Sequence, residues 1–306
     1  LVEENDAMRA TFLGTGGSVP TKKRNLPSFV VRTDGGLAMF DCGEGTQKQF
    51  LIAKLGFNRE MKILVSHMHA DHVLGIPGLL HSMSFMGRSR GLEIYGPPGI
   101  REFVKCTAET VRYRSMFPVR AVEVRAGTIA RTDSYTINAS WADHGVPCLA
   151  YTLVEHDKPG RFYPGKARKL GIPKGPLWKT LQMGKPVRVG RKTIDASRVV
   201  GPPRKGLKIT YAVDTRPCKR VVQLALGSDL LVHDGMFDSS ASERAREYGH
   251  STAAEAARVA KRSRSKNLAL THLSAIYDDT RQLLDEAKKL FPRTFLAEDL
   301  QSLELP

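Results

Sequence analysis

Paired cysteines are missing from this 306-residue sequence: Cys42, Cys106, Cys148 and Cys218 are widely spaced, and no two form a CxxC pair. A reduced, cytoplasmic thiol protein is the simplest reading of that pattern. Also missing is any window with the roughly 18 consecutive apolar residues that a membrane-spanning helix needs, which excludes an integral helical membrane protein. The N-terminus shows no basic region followed by an apolar run. Residues 1–7, polar and acidic ahead of Met8, read as an N-terminal extension and are set aside from the fold. Acidic residues are few relative to basic ones, 31 Asp+Glu against 47 Lys+Arg, for a formal net charge of +16. Such a surplus points to a polyanionic partner, a nucleic acid or an anionic surface. At 41% hydrophobic content the chain can bury a substantial core, so a single domain over residues 8–306 is expected.

The shortage of acid is sharpest between residues 158 and 192, where eleven Lys or Arg occur with no Asp or Glu. Gly and Pro recur there, as in Gly171-Ile172-Pro173-Lys174-Gly175-Pro176, a composition that does not readily join a sheet core. On both sides the pattern is α/β. Before the insert, strand-like runs at 9–14, 29–32, 37–40, 61–65, 92–95, 119–124, 134–139 and 149–154 are interleaved with helix-like runs at 47–55, 74–86 and 100–111. After it come strand-like 208–213, 229–233 and 267–271 and helix-like 253–263 and 279–290. Two α/β halves are therefore expected, interrupted by an arm over residues 155–195.

The densest chemistry is His67-Met68-His69-Ala70-Asp71-His72, which follows the apolar strand at 61–65. Three of the nine histidines and a carboxylate fall within six positions. Imidazole nitrogen and carboxylate oxygen are the usual ligands of catalytic zinc. A polar surface loop is the plain alternative, but so many imidazoles in one loop would each need a separate hydrogen-bond partner.

The H-x-H-x-D-H run after a hydrophobic strand resembles the signature of the metallo-β-lactamase superfamily, and further positions follow in order. Asp41, in Asp41-Cys42-Gly43-Glu44-Gly45, is similar to its early structural aspartate. His144 resembles the third histidine, Asp214 the bridging carboxylate and His272 the last histidine. A lone histidine at a strand end is more often an ordinary core or surface residue; the joint order is what matters here. The resemblance implies a four-layer αββα sandwich with two Zn2+ per subunit (Mn2+ the alternative), about 3.5–4 Å apart. One ion would be held by His67, His69 and His144, the other by Asp71, His72 and His272, with Asp214 reaching both. Asp41 would orient a ligand from behind. Cys42 and Cys148 are expected to pack rather than ligate.

Three further features resemble ribonuclease Z, the tRNA 3′-processing endoribonuclease of that superfamily. Pro20-Thr21-Lys22-Lys23-Arg24-Asn25 matches the family's P-x-K-x-R-N loop; Lys22 and Arg24 would offer cations to phosphate, and Asn25 a hydrogen bond. The basic arm resembles the protruding exosite that grips the tRNA elbow, with Lys158, Arg161, Lys166, Arg168, Lys169, Gly171, Pro173, Gly175 and Pro176 as its candidate contacts. Phe162, Tyr163 and Trp178 would either pack within it or stack on nucleotides. Tyr248-Gly249-His250-Ser251-Thr252 is similar to the family's H-S-T motif, in which the histidine protonates the departing 3′ oxygen; Ser251 or Thr252 alone would be no more than a helix N-cap. Asp71 and His250 are thus the implied catalytic residues. One departure stands out: where the family often carries Glu, this chain has Asp234, a shorter carboxylate to partner His250. The resemblance further implies a cytoplasmic homodimer that binds no membrane and hydrolyses precursor tRNA after the discriminator nucleotide. The metal motif alone leaves open a phosphodiesterase or thioesterase acting on a small substrate, or an RNA-binding protein with a structural metal site.

Overall fold

A computed structural model describes residues 8–305. The expected extension over residues 1–7 lies outside the described residues. Contacts divide the chain into two compact units, one formed by residues up to Val154 and from Lys208 onward, the other by Glu155–Leu207.

The larger unit is built on two seven-stranded sheets. In the first, Ser302–Leu305, Met8–Gly14, Ser28–Thr33 and Gly36–Phe40 pair antiparallel in that order. Met61–Leu64, Leu92–Gly96 and Val119–Glu123 then continue it in parallel. In the second, Thr294–Leu296, Leu268–Thr271, Leu230–Asp234 and Lys208–Ala212 are parallel neighbours, and Leu149–Glu155, Tyr135–Trp141 and Gly127–Arg131 complete it.

Side chains alternate across each strand, so one sheet face can meet the other sheet while the opposite face meets helices. Phe29 and Phe40 of the first sheet meet Tyr151 and Tyr211 of the second, with Phe29 and Tyr211 stacked at 6.0 Å between ring centroids. Val30, Leu37 and Met39 instead join Ile76, Leu79 and Met83 of helix Gly75–Phe85 and Ile100 of helix Ile100–Thr110. Behind the second sheet, Leu231, Leu268 and Leu270 pack on helices Lys219–Leu224, Ala253–Arg262 and Arg281–Leu290. The result is the expected αββα sandwich. Among the described residues, no helix is long and apolar enough to cross a membrane.

The smaller unit has its own interior. Its basic, Gly/Pro-rich stretch forms helices Pro164–Lys169 and Pro176–Gln182 and a hairpin of Val187–Val189 with Lys192–Ile194. Ala167, Ile172, Leu181, Val187, Ile194 and Val199 are buried together, with Phe162 and Trp178 against them. Trp178 packs on Phe162 at 5.1 Å between centroids and donates Nε1–H to Ile172 O. The two pieces of this unit meet where Glu155 N donates to Leu207 O and Lys158 and Arg204 exchange backbone bonds.

Candidate metal centre

The expected ligands lie at strand ends or in the loops and one short helix that follow. His67 and His69 follow strand Met61–Leu64; Asp71 and His72 sit in the short helix Ala70–Val73 after it. His144 follows Tyr135–Trp141, Asp214 follows Lys208–Ala212, and His272 follows Leu268–Thr271. Asp41, Asp214 and His272 all take left-handed backbone conformations, with φ of 56°, 53° and 58°. Non-glycine residues adopt that region at a cost, and such outliers gather where function demands a side-chain direction. Cys148 helps hold one of them, its Sγ donating to Asp214 O at 3.5 Å.

Second partners fix the imidazole faces. Asp41, fully buried, accepts Ser66 N, Ser66 Oγ, Tyr211 Oη and His72 Nδ1 at 2.7–2.9 Å. That leaves His72 Nε2 pointing inward as a lone-pair donor, the arrangement a ligating histidine needs. His144 is fixed the same way, its Nδ1 donating to Gly249 O at 3.0 Å. Glycine at Gly249 is required twice, by φ of 73° and by the His144 ring, which a β-carbon would approach to 2.9 Å. A β-carbon on Gly17 would likewise collide with the His272 ring.

The inward atoms converge. Asp214 Oδ2 stands 3.5, 3.4 and 3.6 Å from Nε2 of His67, His72 and His144. Asp71 Oδ2 stands 3.4 Å from Nε2 of both His72 and His272. Yet Nε2 of His67, His72 and His272 and Oδ1 of Asp214 are buried with no hydrogen-bond partner among the described residues. His272 Nε2 and Asp214 Oδ1 are only 3.0 Å apart but lack the angle a hydrogen bond needs. Several buried lone pairs facing one another are costly without a cation between them.

Electrostatics agree. Burial and the neighbouring His72 hold His67 well below its usual pKa, in the neutral form that ligates. Burial opposes a charge on His272, but Asp214 and Asp71 push its pKa up to about 10. The carboxylates thus create a field that calls for positive charge. His67, His69, His144 and Asp214 could hold one ion, and Asp71, His72 and His272 another, each group having ligand atoms within 4.8 Å of one another. The donor set therefore fits divalent metal.

Asp214, Asp234, His250 and His272 also lie that close. Asp234, however, is already engaged. Its Oδ2 accepts His250 Nδ1 at 2.9 Å and the backbone N–H groups of Thr215 and Ser251, and its Oδ1 accepts Met236 N. Burial disfavours charge on His250, but the Asp234 carboxylate outweighs it and raises the imidazole's pKa. Thr252 caps helix Ala253–Arg262, with Glu255 completing a capping box.

Other expected site residues have other engagements. Arg24 Nη1 donates to Thr15 Oγ1 and Ala297 O, each at 2.6 Å, so that nitrogen is engaged within the protein. Asn25 donates Nδ2–H to Glu44 O, and Asp299 accepts its backbone N–H. Pro20 and Lys22 are exposed. In the smaller unit Lys158 pairs with Glu155 at 2.7 Å, while Arg161, Lys166, Arg168 and Lys169 are exposed, as are Gly171, Pro173, Gly175 and Pro176. Sequence reasoning passed over Ser66, Tyr211 and Arg216. Only Ser66 carried a signal, its place beside His67; Arg216 binds Glu255 through both terminal nitrogens and donates to His250 O. Cys42 and Cys148 are buried, and burial pushes both thiols up, away from the thiolate a metal would need.

Comparison with known proteins matches this geometry to named relatives. The sequence profile of the family described as Anti-Pycsar protein Apyc1 matches residues 8–105. A curated Ribonuclease Z of Methanosarcina acetivorans is 45% identical over 98% of this chain and 98% of its own length. Another, of Methanothermobacter thermautotrophicus, is 44% identical over 97% of each. Among solved structures, human short-form tRNase Z superposes with a TM-score of 0.70 at 27% identity, covering 97% of this chain and 99% of its own. A metallo-β-lactamase fold protein of Bacillus subtilis gives the same TM-score at 20% identity, covering 98% of this chain and 100% of its own.

Proposed function

The chain belongs to the ribonuclease Z family, and from that premise we propose that it is an endoribonuclease removing the 3′ trailer of precursor tRNA. Cleavage falls after the discriminator nucleotide and leaves a 3′-hydroxyl on the tRNA and a 5′-phosphate on the trailer. The observation that carries the reading is the ring of buried, unpartnered imidazole and carboxylate atoms around Asp214, in a chain that aligns end to end with these relatives.

The family and the His/Asp clusters imply a divalent metal. In this proposal it is zinc, two ions per subunit, with manganese as the alternative. His67, His69 and His144 would hold one and Asp71, His72 and His272 the other, with Asp214 reaching both. When bound, such ions supply Lewis acidity and make water a nucleophile near neutral pH.

The remaining work falls to the chain. Asp41 keeps the His72 proton on Nδ1, and Gly249 O does the same for His144, so both present Nε2. Ser18 N–H donates to Asp71 Oδ2 and holds that carboxylate in place beside His72 and His272. His250, fastened through Nδ1 to Asp234, holds a proton on Nε2 for the departing 3′ oxygen, because a free ribose alkoxide is a poor leaving group. The exposed cations of the smaller unit, together with Lys22, bind tRNA backbone. A cytoplasmic homodimer completes the proposal.

The test is an end-labelled precursor tRNA incubated with and without chelator, its product ends mapped at nucleotide resolution. One chelator-sensitive cut beside the discriminator is expected. Tight binding by metal-loaded protein with no cut would overturn the reading.

A further inference from the structure

The cavity over the His/Asp cluster, about 390 Å³, has a mouth that the proposed chemistry does not use. Tyr248 lines it beside His250 yet is 54% exposed. Val19 and Ile276 line the same cavity and are 54% and 53% exposed. Single exposed apolar side chains need no explanation, but three lining the same cavity as His69, Asp71, His144, Asp214 and His250 mark a binding surface.

The Tyr248 ring is held in place. Tyr248 N donates to Arg244 O at 3.1 Å at the end of helix Ser242–Glu247. Gly249, at φ 73°, turns the chain so that His250 N reaches Ala245 O at 2.7 Å. The Arg244 guanidinium lies 5.7 Å from the Tyr248 ring centroid and 5.5 Å from that of buried Phe237. This cation–π contact braces the ring from one side.

We infer that Tyr248, with Val19 and Ile276, forms a stacking slot for one nucleobase, that of the nucleotide whose 3′ oxygen departs. The inference rests on the proposed function: if His250 protonates that oxygen, the nucleotide bearing it lies on the side of the cavity where Tyr248 stands two residues away. Single-stranded RNA ends are read by splaying bases onto aromatic rings. Stacking engages the π-face, which every base has, so the slot positions the scissile bond without selecting a base.

The experiment mixes metal-loaded protein with precursor tRNA carrying 2-aminopurine at the discriminator position and follows fluorescence before cleavage. Wild type and Tyr248→Phe quench the probe; Tyr248→Ala does not. In parallel, the kcat/KM of Tyr248→Ala on precursor tRNA falls roughly ten-fold or more relative to its kcat/KM on bis(p-nitrophenyl) phosphate. Ile276→Ala lowers the same ratio by less. Quenching that survives in Tyr248→Ala, or an unchanged ratio, would overturn the slot, as would a strict demand for one discriminator base. If the probe is quenched through Tyr248 but the tRNA is not cut beside it, trailer removal fails, and Tyr248 is left a base-stacking residue without its tie to the departing oxygen.

Discussion

His250 Nδ1 lies 2.9 Å from an Asp234 carboxylate that is at the same time held by the backbone N–H groups of Thr215, Ser251 and Met236. Neither partner can turn, so the imidazole presents Nε2 to the cavity. An aspartate, one methylene shorter than glutamate, reaches the ring from the end of strand Leu230–Asp234.

Replacing His250 by Ala is expected to lower kcat on precursor tRNA by roughly 10²–10⁴-fold, the usual contribution of a positioned general acid. Asp234→Asn should fall part of the way, since an amide can still hold the ring but no longer favours its protonated form. Metal content, measured by atomic emission, should match wild type in both. Metal lost together with activity would make these residues ligands and remove the acid role.

Asp214→Ala is expected to abolish turnover and leave precursor tRNA binding largely intact, because the proposed RNA contacts are made by other residues. Cleavage at the wild-type rate would sink the ligand assignment. Dialysis of the unaltered protein against chelator should have the same effect as the substitution, and added zinc or manganese should reverse only the former.

Asp41→Ala tests the support behind the ligands. Four buried donors lose their acceptor, and each unmade hydrogen bond costs about 1–3 kcal/mol. A lower unfolding midpoint is expected even in chelator, with a metal affinity roughly 10–100-fold weaker. Gly17→Ala should weaken metal binding as well, through its collision with the His272 ring. Unaltered metal titrations in both variants would show that the site tolerates displacement of His72 and His272.

The smaller unit can be removed cleanly, since Val154 and Lys208 are register partners in adjacent antiparallel strands and a two-residue Asn-Gly turn can join them. Excising Glu155–Leu207 in this way should raise the KM for precursor tRNA far more than the KM for bis(p-nitrophenyl) phosphate. The wild-type preference for tRNA should also weaken steeply with salt. Equal losses on the two substrates would argue against an RNA-binding role for the unit.

The strand pattern and the order of the candidate ligands were legible in sequence because each rests on local spacing, but the division into halves was not: Gly127–Arg131, Tyr135–Trp141 and Leu149–Glu155, all ahead of the arm, belong to the second sheet, so the arm interrupts the second half rather than separating the two. Period-two apolar runs name strands wherever their neighbours lie, and H-x-H-x-D-H is compact enough to be read by itself. The edge strands Gly127–Arg131, Thr294–Leu296 and Ser302–Leu305 were not legible; they are short and half-exposed, and only pairing partners define them. Composition also hid the interior of the smaller unit, whose buried Ile172, Leu181 and Ile194 are scattered among glycines, prolines and cations.

By itself, then, the sequence determined which residue types are available as ligands and in what order along the chain, because helices, strands and dense motifs are local. Only the tertiary structure decided what each side chain does. It engaged Arg24 with Ala297 O, joined Tyr211 to Asp41 across the two sheets, and brought Tyr248 to the mouth of the cavity. Those outcomes depend on partners up to hundreds of positions away, where hydrogen-bond satisfaction and burial, rather than spacing, choose the contact.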